Sequence, residues 1–115
     1  MTDETDFEGL TDRQLLSRRR GLAAGVTRPE ATLPGALVLQ GRRCSSAGCR
    51  CRRGELHGPY RYLALYTGGR NRTLYVPAAL QAVVAERVAV THANDAALGE
   101  IAQINVELLR RRALG

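Results

Sequence analysis

The spacing of apolar positions changes twice along this chain, and each change marks a new element. Residues 10 to 15, LTDRQL, have the pattern of a helix start. Thr11 is placed to cap it, Gln14 to close a capping box, and Leu10 to staple against Leu15. A short helix is expected through Arg20 or a little beyond. Gly21, Gly25, Pro29 and Pro34 argue against its continuing past residue 25, which makes 26 to 35 a connector. Residues 36 to 40, ALVLQ, read as a short strand. Strict alternation then appears in PYRYLALYT (59 to 67) and RTLYV (72 to 76), with Gly68 and Gly69 between them supplying the positive φ values of a tight hairpin. With those glycines at the centre of the turn, Thr67 faces Arg70, Tyr62 faces Tyr75 and Leu63 faces Leu74. Tyr60, Tyr62, Tyr66 and Tyr75 then share one side, while Leu63, Leu65, Leu74 and Val76, with Arg61 and Arg72, share the other.

From Pro77 the period becomes helical and no proline recurs. Apolar residues at Val83, Val90, Ala97, Ile101, Ile104 and Leu108, with Arg87 and Asn94 in the same three-four series, describe a heptad seam. One long helix or a helical hairpin broken near Thr91 to Asp95 would each satisfy it. The absence of glycine or proline in that stretch favours one helix. An asparagine at a seam position can set the register of a two-stranded coil, so a homodimer or a larger protein assembly is an expected use of this face. The fold class is therefore α+β: a short N-terminal helix, a small antiparallel sheet and a long C-terminal helix or helical hairpin. The expected segments are an acidic mobile tail (1 to 9), helix and connector (10 to 35), a β domain (36 to 76) and the C-terminal helix (77 to 115).

Composition adds a constraint on the core. With one Phe, no Trp and 4% aromatic residues in 115, the apolar content is mostly Ala, Leu and Val, so a metal cross-link or a partner would compensate for a thin core. For the same reason the tyrosines are expected to pack beneath a helix, with a platform for stacked bases as the alternative. No stretch approaches the roughly 20 apolar residues of a membrane span, and the start of the chain lacks a basic and apolar leader, so a cytoplasmic protein is expected.

Charge is unevenly spread. Residues 41 to 75 hold Arg42, Arg43, Arg50, Arg52, Arg53, Arg61, Arg70 and Arg72 against Glu55 alone, within a chain of net +6. All seventeen basic residues are arginine, whose planar fork suits phosphate and flat rings. A GC-rich coding sequence would also favour arginine over lysine, so only the clustering counts as evidence.

The same region carries the candidate chemistry. Cys44, Cys49, Cys51 and His57 lie within fourteen residues, giving three soft ligands and one borderline ligand, the set of a closed structural Zn(II) site. Ser45 to Gly48 are small enough for a tight turn, and Cys49 with Cys51 would point the same way if the backbone were extended there. Unliganded thiols and redox or nucleophilic chemistry are the alternatives. A disulfide framework fits poorly with an odd cysteine count.

Pro34-Gly35-Ala36-Leu37, Arg42-Arg43-Cys44, Cys49-Arg50-Cys51, His57-Gly58-Pro59-Tyr60, the Gly-Gly-Arg turn and Tyr75-Val76-Pro77 before a long helix resemble a family of small bacterial proteins of unknown function. The family has a Cys-x4-Cys-x-Cys and His-Gly-Pro-Tyr core followed by a hairpin. The resemblance spans roughly 34 to 112, with Asn105, Glu107, Leu108 and Leu109 matching its helical ending. Ser45 and Ser46 stand where Gly-Lys is usual. It implies that Cys44, Cys49, Cys51 and His57 act as a group, and implies no activity.

The resulting expectation is a zinc-knuckle module that binds DNA or RNA as an accessory factor of a larger nucleoprotein machine. Arg42, Arg43, Arg50, Arg52, Arg53, Arg61, Arg70 and Arg72, with Tyr60 and Tyr62, are the candidate contacts. The alternative is an interaction protein working through Val83, Val90, Asn94, Ala97, Ile101, Ile104 and Leu108. An enzyme is not expected, because four protein ligands would close the metal and Glu55 is the only carboxylate between Cys44 and Tyr75.

Overall fold

The computed structural model describes residues 7–115. Helix α1 (Asp12–Ala24) is followed by strands β1 (Ala36–Arg42), β2 (His57–Thr67) and β3 (Arg70–Tyr75), and by helix α2 (Gln81–Arg110). The class is α+β, and α2 is one continuous helix. The chain divides into two compact units, residues 1–30 with 90–115 and residues 31–89. The division falls inside the segment expected to stand apart from 77 onward.

In the first unit, α1 begins as its sequence requires. Thr11 has extended backbone. Its Oγ1 accepts the Gln14 N–H at 3.1 Å, and Gln14 Oε1 accepts the Thr11 N–H at 2.9 Å, so two helix-terminal donors are satisfied, an effect of about 1 kcal/mol. The helix runs through Gly21 and stops at Gly25. Leu15, Ile104 and Leu108 are fully buried together with Phe7, and Leu10, Leu22 and Ala113 pack around them.

Phe7 corrects the expected tail, because the mobile segment was drawn to residue 9. The Phe7 carbonyl accepts the Leu10 N–H at 3.1 Å and Arg111 Nη2 at 3.0 Å, and the Glu8 carbonyl accepts Arg111 Nη2 at 3.3 Å. In so thin a core, the one phenylalanine supplies apolar area that no neighbour replaces. Residues 1–6, and the idea that they fold over the arginines, lie outside the described residues.

The heptad seam is used inside the chain at three of its eight positions. Ile104 and Leu108 fill the core shared with α1, and Asn94 is 6% exposed. Asn94 Nδ2 donates to the Thr27 carbonyl at 2.8 Å, and Oδ1 accepts the Thr27 N–H at 3.3 Å. This explains why the polar stretch around Thr91 to Asp95 does not break the helix: its asparagine serves a neighbouring backbone and caps nothing. Val90, Ala97 and Ile101 are half-buried and Val83 is exposed. The end of α2 is closed by Arg112 at φ 59°. Its N–H donates to Leu109 O at 2.9 Å and that of Ala113 to Leu108 O at 2.8 Å, the Schellman pattern with arginine in the usual glycine position.

The second unit is built on a three-stranded antiparallel sheet in the order β1-β2-β3. Val38 lies opposite Tyr62 and Leu37 opposite Leu63; Tyr62 lies opposite Tyr75, Leu63 opposite Leu74 and Thr67 opposite Arg70. The hairpin register is the one the Gly68-Gly69 turn implies. Leu63, Val76 and Val88 form the core here, with Leu33, Leu37, Leu65 and Val84 packed against it. The start of α2 therefore covers the leucine side, although Leu39 and Leu74 on that side stay exposed.

The tyrosine side was expected to be covered as well, and it is open. Tyr60, Tyr66 and Tyr75 are 41%, 69% and 58% exposed, and Tyr62 is half-buried. The strand leucines and Val76 occupy the single helix-facing side, and the unit has no second helix to cover the other.

Candidate functional site

The loop between β1 and β2 starts where the sheet register slips, between Gln40 and Arg42. Gly41 is needed there: a Cβ would sit 2.8 Å from Leu56 Cβ, well inside van der Waals contact. The chain turns at Cys49, whose N–H donates to Ser46 O at 3.3 Å, and enters a single 3-10 turn, Arg50–Arg53. Gly54, at φ 101°, ends that turn by donating to Arg50 O and Cys51 O, a conformation with little steric penalty only for glycine. The two close cysteines are therefore brought together differently from the extended Cys-x-Cys first expected. Cys49 is extended, but Cys51 lies inside the turn, which curls it back toward Cys44.

The four predicted ligand atoms all lie within 4.8 Å of one another, close enough to bind a metal ion. Cys44 Sγ and Cys51 Sγ are 3.7 Å apart, matching the edge of about 3.8 Å in a tetrahedron with metal–sulfur bonds of about 2.3 Å. Cys49 Sγ and His57 Nε2 are 3.1 Å apart; that edge would open by a few tenths of an ångström around an ion. Cys51 is fully buried, and Cys44 and Cys49 are half-buried. The Cys44 N–H donates to Cys51 Sγ at 3.3 Å, and Arg52 Nη2 donates to the Cys44 carbonyl at 2.8 Å. Both contacts hold the knuckle in shape, and the first places a donor on a sulfur where thiolate charge would develop.

The thiols do not share one acidity. The Ser46 backbone, then the neighbouring Cys49 and Cys51, and finally the Arg52 charge hold Cys44 below the ordinary thiol value. Cys49 is pushed up: the Cys51 backbone pulls it down, but the Cys44 and Cys51 sulfurs and burial outweigh that pull. Crowded thiolates raise one another's cost of ionisation, and a bound cation relieves that cost.

The eight candidate arginines do not form one surface. Arg42 crosses the tyrosine side, its guanidinium carbon 4.1 Å from the Tyr62 ring centre and Nη2 3.4 Å from Thr73 Oγ1. Arg61, Arg70 and Arg72 belong to the leucine side, because alternation along β2 and β3 places them in phase with Leu63 and Leu74. Arg50 faces Glu55 at 3.7 Å, both well exposed. Arg52 is turned inward onto the knuckle, while Arg43 and Arg53 are exposed. Tyr66 and Tyr75 were not among the candidate contacts, yet they are the most exposed tyrosines. Their position was implied by the same alternation that placed Tyr60 and Tyr62.

The unit that carries the knuckle also carries the charge. Residues 31–89 hold nine arginines against Glu55 and Glu86, a net +7, and the remainder of the chain is near neutral at −1.

The site and fold define a small α+β protein with a Cys3His cluster able to hold a metal ion in a loop of its sheet. The chain belongs to the family described as Domain of unknown function (DUF6788), whose profile matches residues 12–86. The match takes in α1, the sheet, the knuckle and the first turns of α2; it starts earlier than the resemblance drawn from the motifs and stops short of the helical ending at Asn105 to Leu109. No curated protein and no solved structure matches the chain. Among the described residues no helix is long and apolar enough to cross a membrane.

Proposed function

We propose that this protein is a zinc-stapled, arginine-rich module that binds nucleic acid, acting as an accessory part of a larger nucleoprotein assembly. Zn(II) would be held by Cys44, Cys49, Cys51 and His57 as a structural ion, since a Cys3His set favours zinc and four protein ligands leave no open position for catalysis. The role is binding and not turnover. The observation that carries the reading is the concentration of the whole positive excess on the unit built around the knuckle. Fixed cations on a small rigid unit attract a polyanion and release its counterions.

The test is an affinity series against salt with duplex and single-stranded oligonucleotides, using zinc-loaded protein. Affinity should fall steeply as salt rises, and Arg43→Ala, Arg53→Ala and Arg70→Ala together should reduce the slope by roughly two to three. A flat salt response in the wild-type protein sinks the reading. Metal analysis should return one zinc per chain.

A second reading, docking of a second copy or another protein through α2, is favoured by Leu98, Val106 and Leu109. These are exposed within one stripe of the helix. Sedimentation without nucleic acid separates the two: a dimer that persists when the arginines are replaced would support this second reading.

A further inference from the structure

We propose that the open tyrosine side of the sheet is a stacking platform for the unpaired bases of a single-stranded nucleic acid, an inference that rests on the nucleic-acid reading above. The chain's four tyrosines all stand on this side, three of them exposed. Tyr75 meets Tyr60 at 6.2 Å and Tyr62 at 5.8 Å between ring centres, both edge to face at 79° and 67°. In each pair the edge of one ring meets the face of the other, and Tyr60, Tyr66 and Tyr75 still keep much of their ring surface open to solvent. Nothing bulky separates them from the far end of the sheet. Ala64 and Thr73 lie between the cluster and Tyr66, where Gly35, Ala36 and Asn71 help to line a shallow groove of about 520 Å³.

Arg42 on this side, together with the net charge of the whole unit, points to the occupant. Arg42 lies over Tyr62 with its guanidinium held between that ring and Thr73, placing a phosphate-binding fork beside the stacking rings. The surrounding unit has a net +7 with two carboxylates, which suits a polyanion. Duplex bases are stacked on one another inside the helix and cannot lie on a flat sheet, whereas unpaired bases of any sequence present π-faces to it. Single strands are therefore favoured over duplex, with little sequence preference.

Zinc-loaded full-length protein titrated with a labelled oligothymidylate of about 10 nucleotides, its RNA counterpart and a duplex of equal length provides the test. Because the chain has tyrosine and no tryptophan, intrinsic fluorescence reports on this side alone and should be quenched as the single strand binds. Tyr60→Ala and Tyr75→Ala should each weaken single-strand binding roughly 5- to 100-fold and leave duplex binding unchanged, while Tyr75→Phe, which keeps the ring, should bind like wild type. Comparison of the DNA and RNA arms decides which polymer is preferred. Alanine variants that bind the single strand as wild type does, or duplex preferred over single strand, overturn the platform even if the arginine variants still lose affinity and so uphold nucleic-acid binding. Wild-type protein that binds neither polymer overturns both; pull-down of a protein through this side, unaffected by oligonucleotide, overturns the platform.

Discussion

Asn94 holds the backbone of Thr27 from both sides, donating to its carbonyl at 2.8 Å and accepting its N–H at 3.3 Å. The pair is 67 residues apart in sequence, and it ties the connector after α1 to the middle of α2. An amide is suited to this, since it offers both a donor and an acceptor, one for the C=O and one for the N–H of the same residue.

Asn94→Leu should therefore destabilise the protein. It leaves both backbone groups of Thr27 without their partners, at a cost of about 1–3 kcal/mol. Urea unfolding measures the loss. A residue whose role was to set a coiled-coil register would behave differently: leucine there would raise the order of association in sedimentation while preserving or raising stability.

Filling and emptying the knuckle should be visible in stability. Chelation of the bound metal is expected to lower the melting temperature of wild-type protein to that of Cys51→Ser, in which the buried thiol is gone and the ion is lost. Each 1 kcal/mol corresponds to roughly 4 °C in a domain of this size. A melting temperature that chelator leaves unchanged would show that the loop holds itself together without an ion.

Acid should loosen the first unit through Glu107. Its buried carboxylate accepts Arg111 Nε at 2.7 Å and Arg110 Nη2 at 2.9 Å. Arg111 first, and then Arg110, hold it below its ordinary value of 4.5 against the opposing effect of burial. The unfolded chain therefore binds this proton more readily than the folded one. The contribution to stability is complete above that ordinary value and is lost as pH falls through the lower folded one. Melting temperature should drop more steeply with acid in wild type than in Glu107→Gln; parallel curves would remove Glu107 from the explanation.

The elements that could be read directly from the chain are those whose determinants lie close together. Thr11 and Gln14 cap α1 across three residues, Gly68-Gly69 sets Tyr62 opposite Tyr75, and Cys44 to His57 meet within one loop. The long reach of Arg111 to Asp12, at 2.9 Å, and to the Phe7 carbonyl had no such signal. Arg111, at the end of α2, is tied by these contacts to residues around the start of α1.

Sequence alone determined the order of helix, three strands and helix, the hairpin pairing, and the four-ligand group in its loop, because turn chemistry, alternation and short spacing act over a few residues. Only the tertiary structure decided which side of the sheet stays open, which arginines accompany the tyrosines there, and that Asn94, Ile104 and Leu108 serve this chain. Those outcomes depend on how few apolar surfaces are shared among elements distant in sequence. Here the start of α2 takes the leucine side of the sheet and nothing remains in that unit to cover the tyrosines.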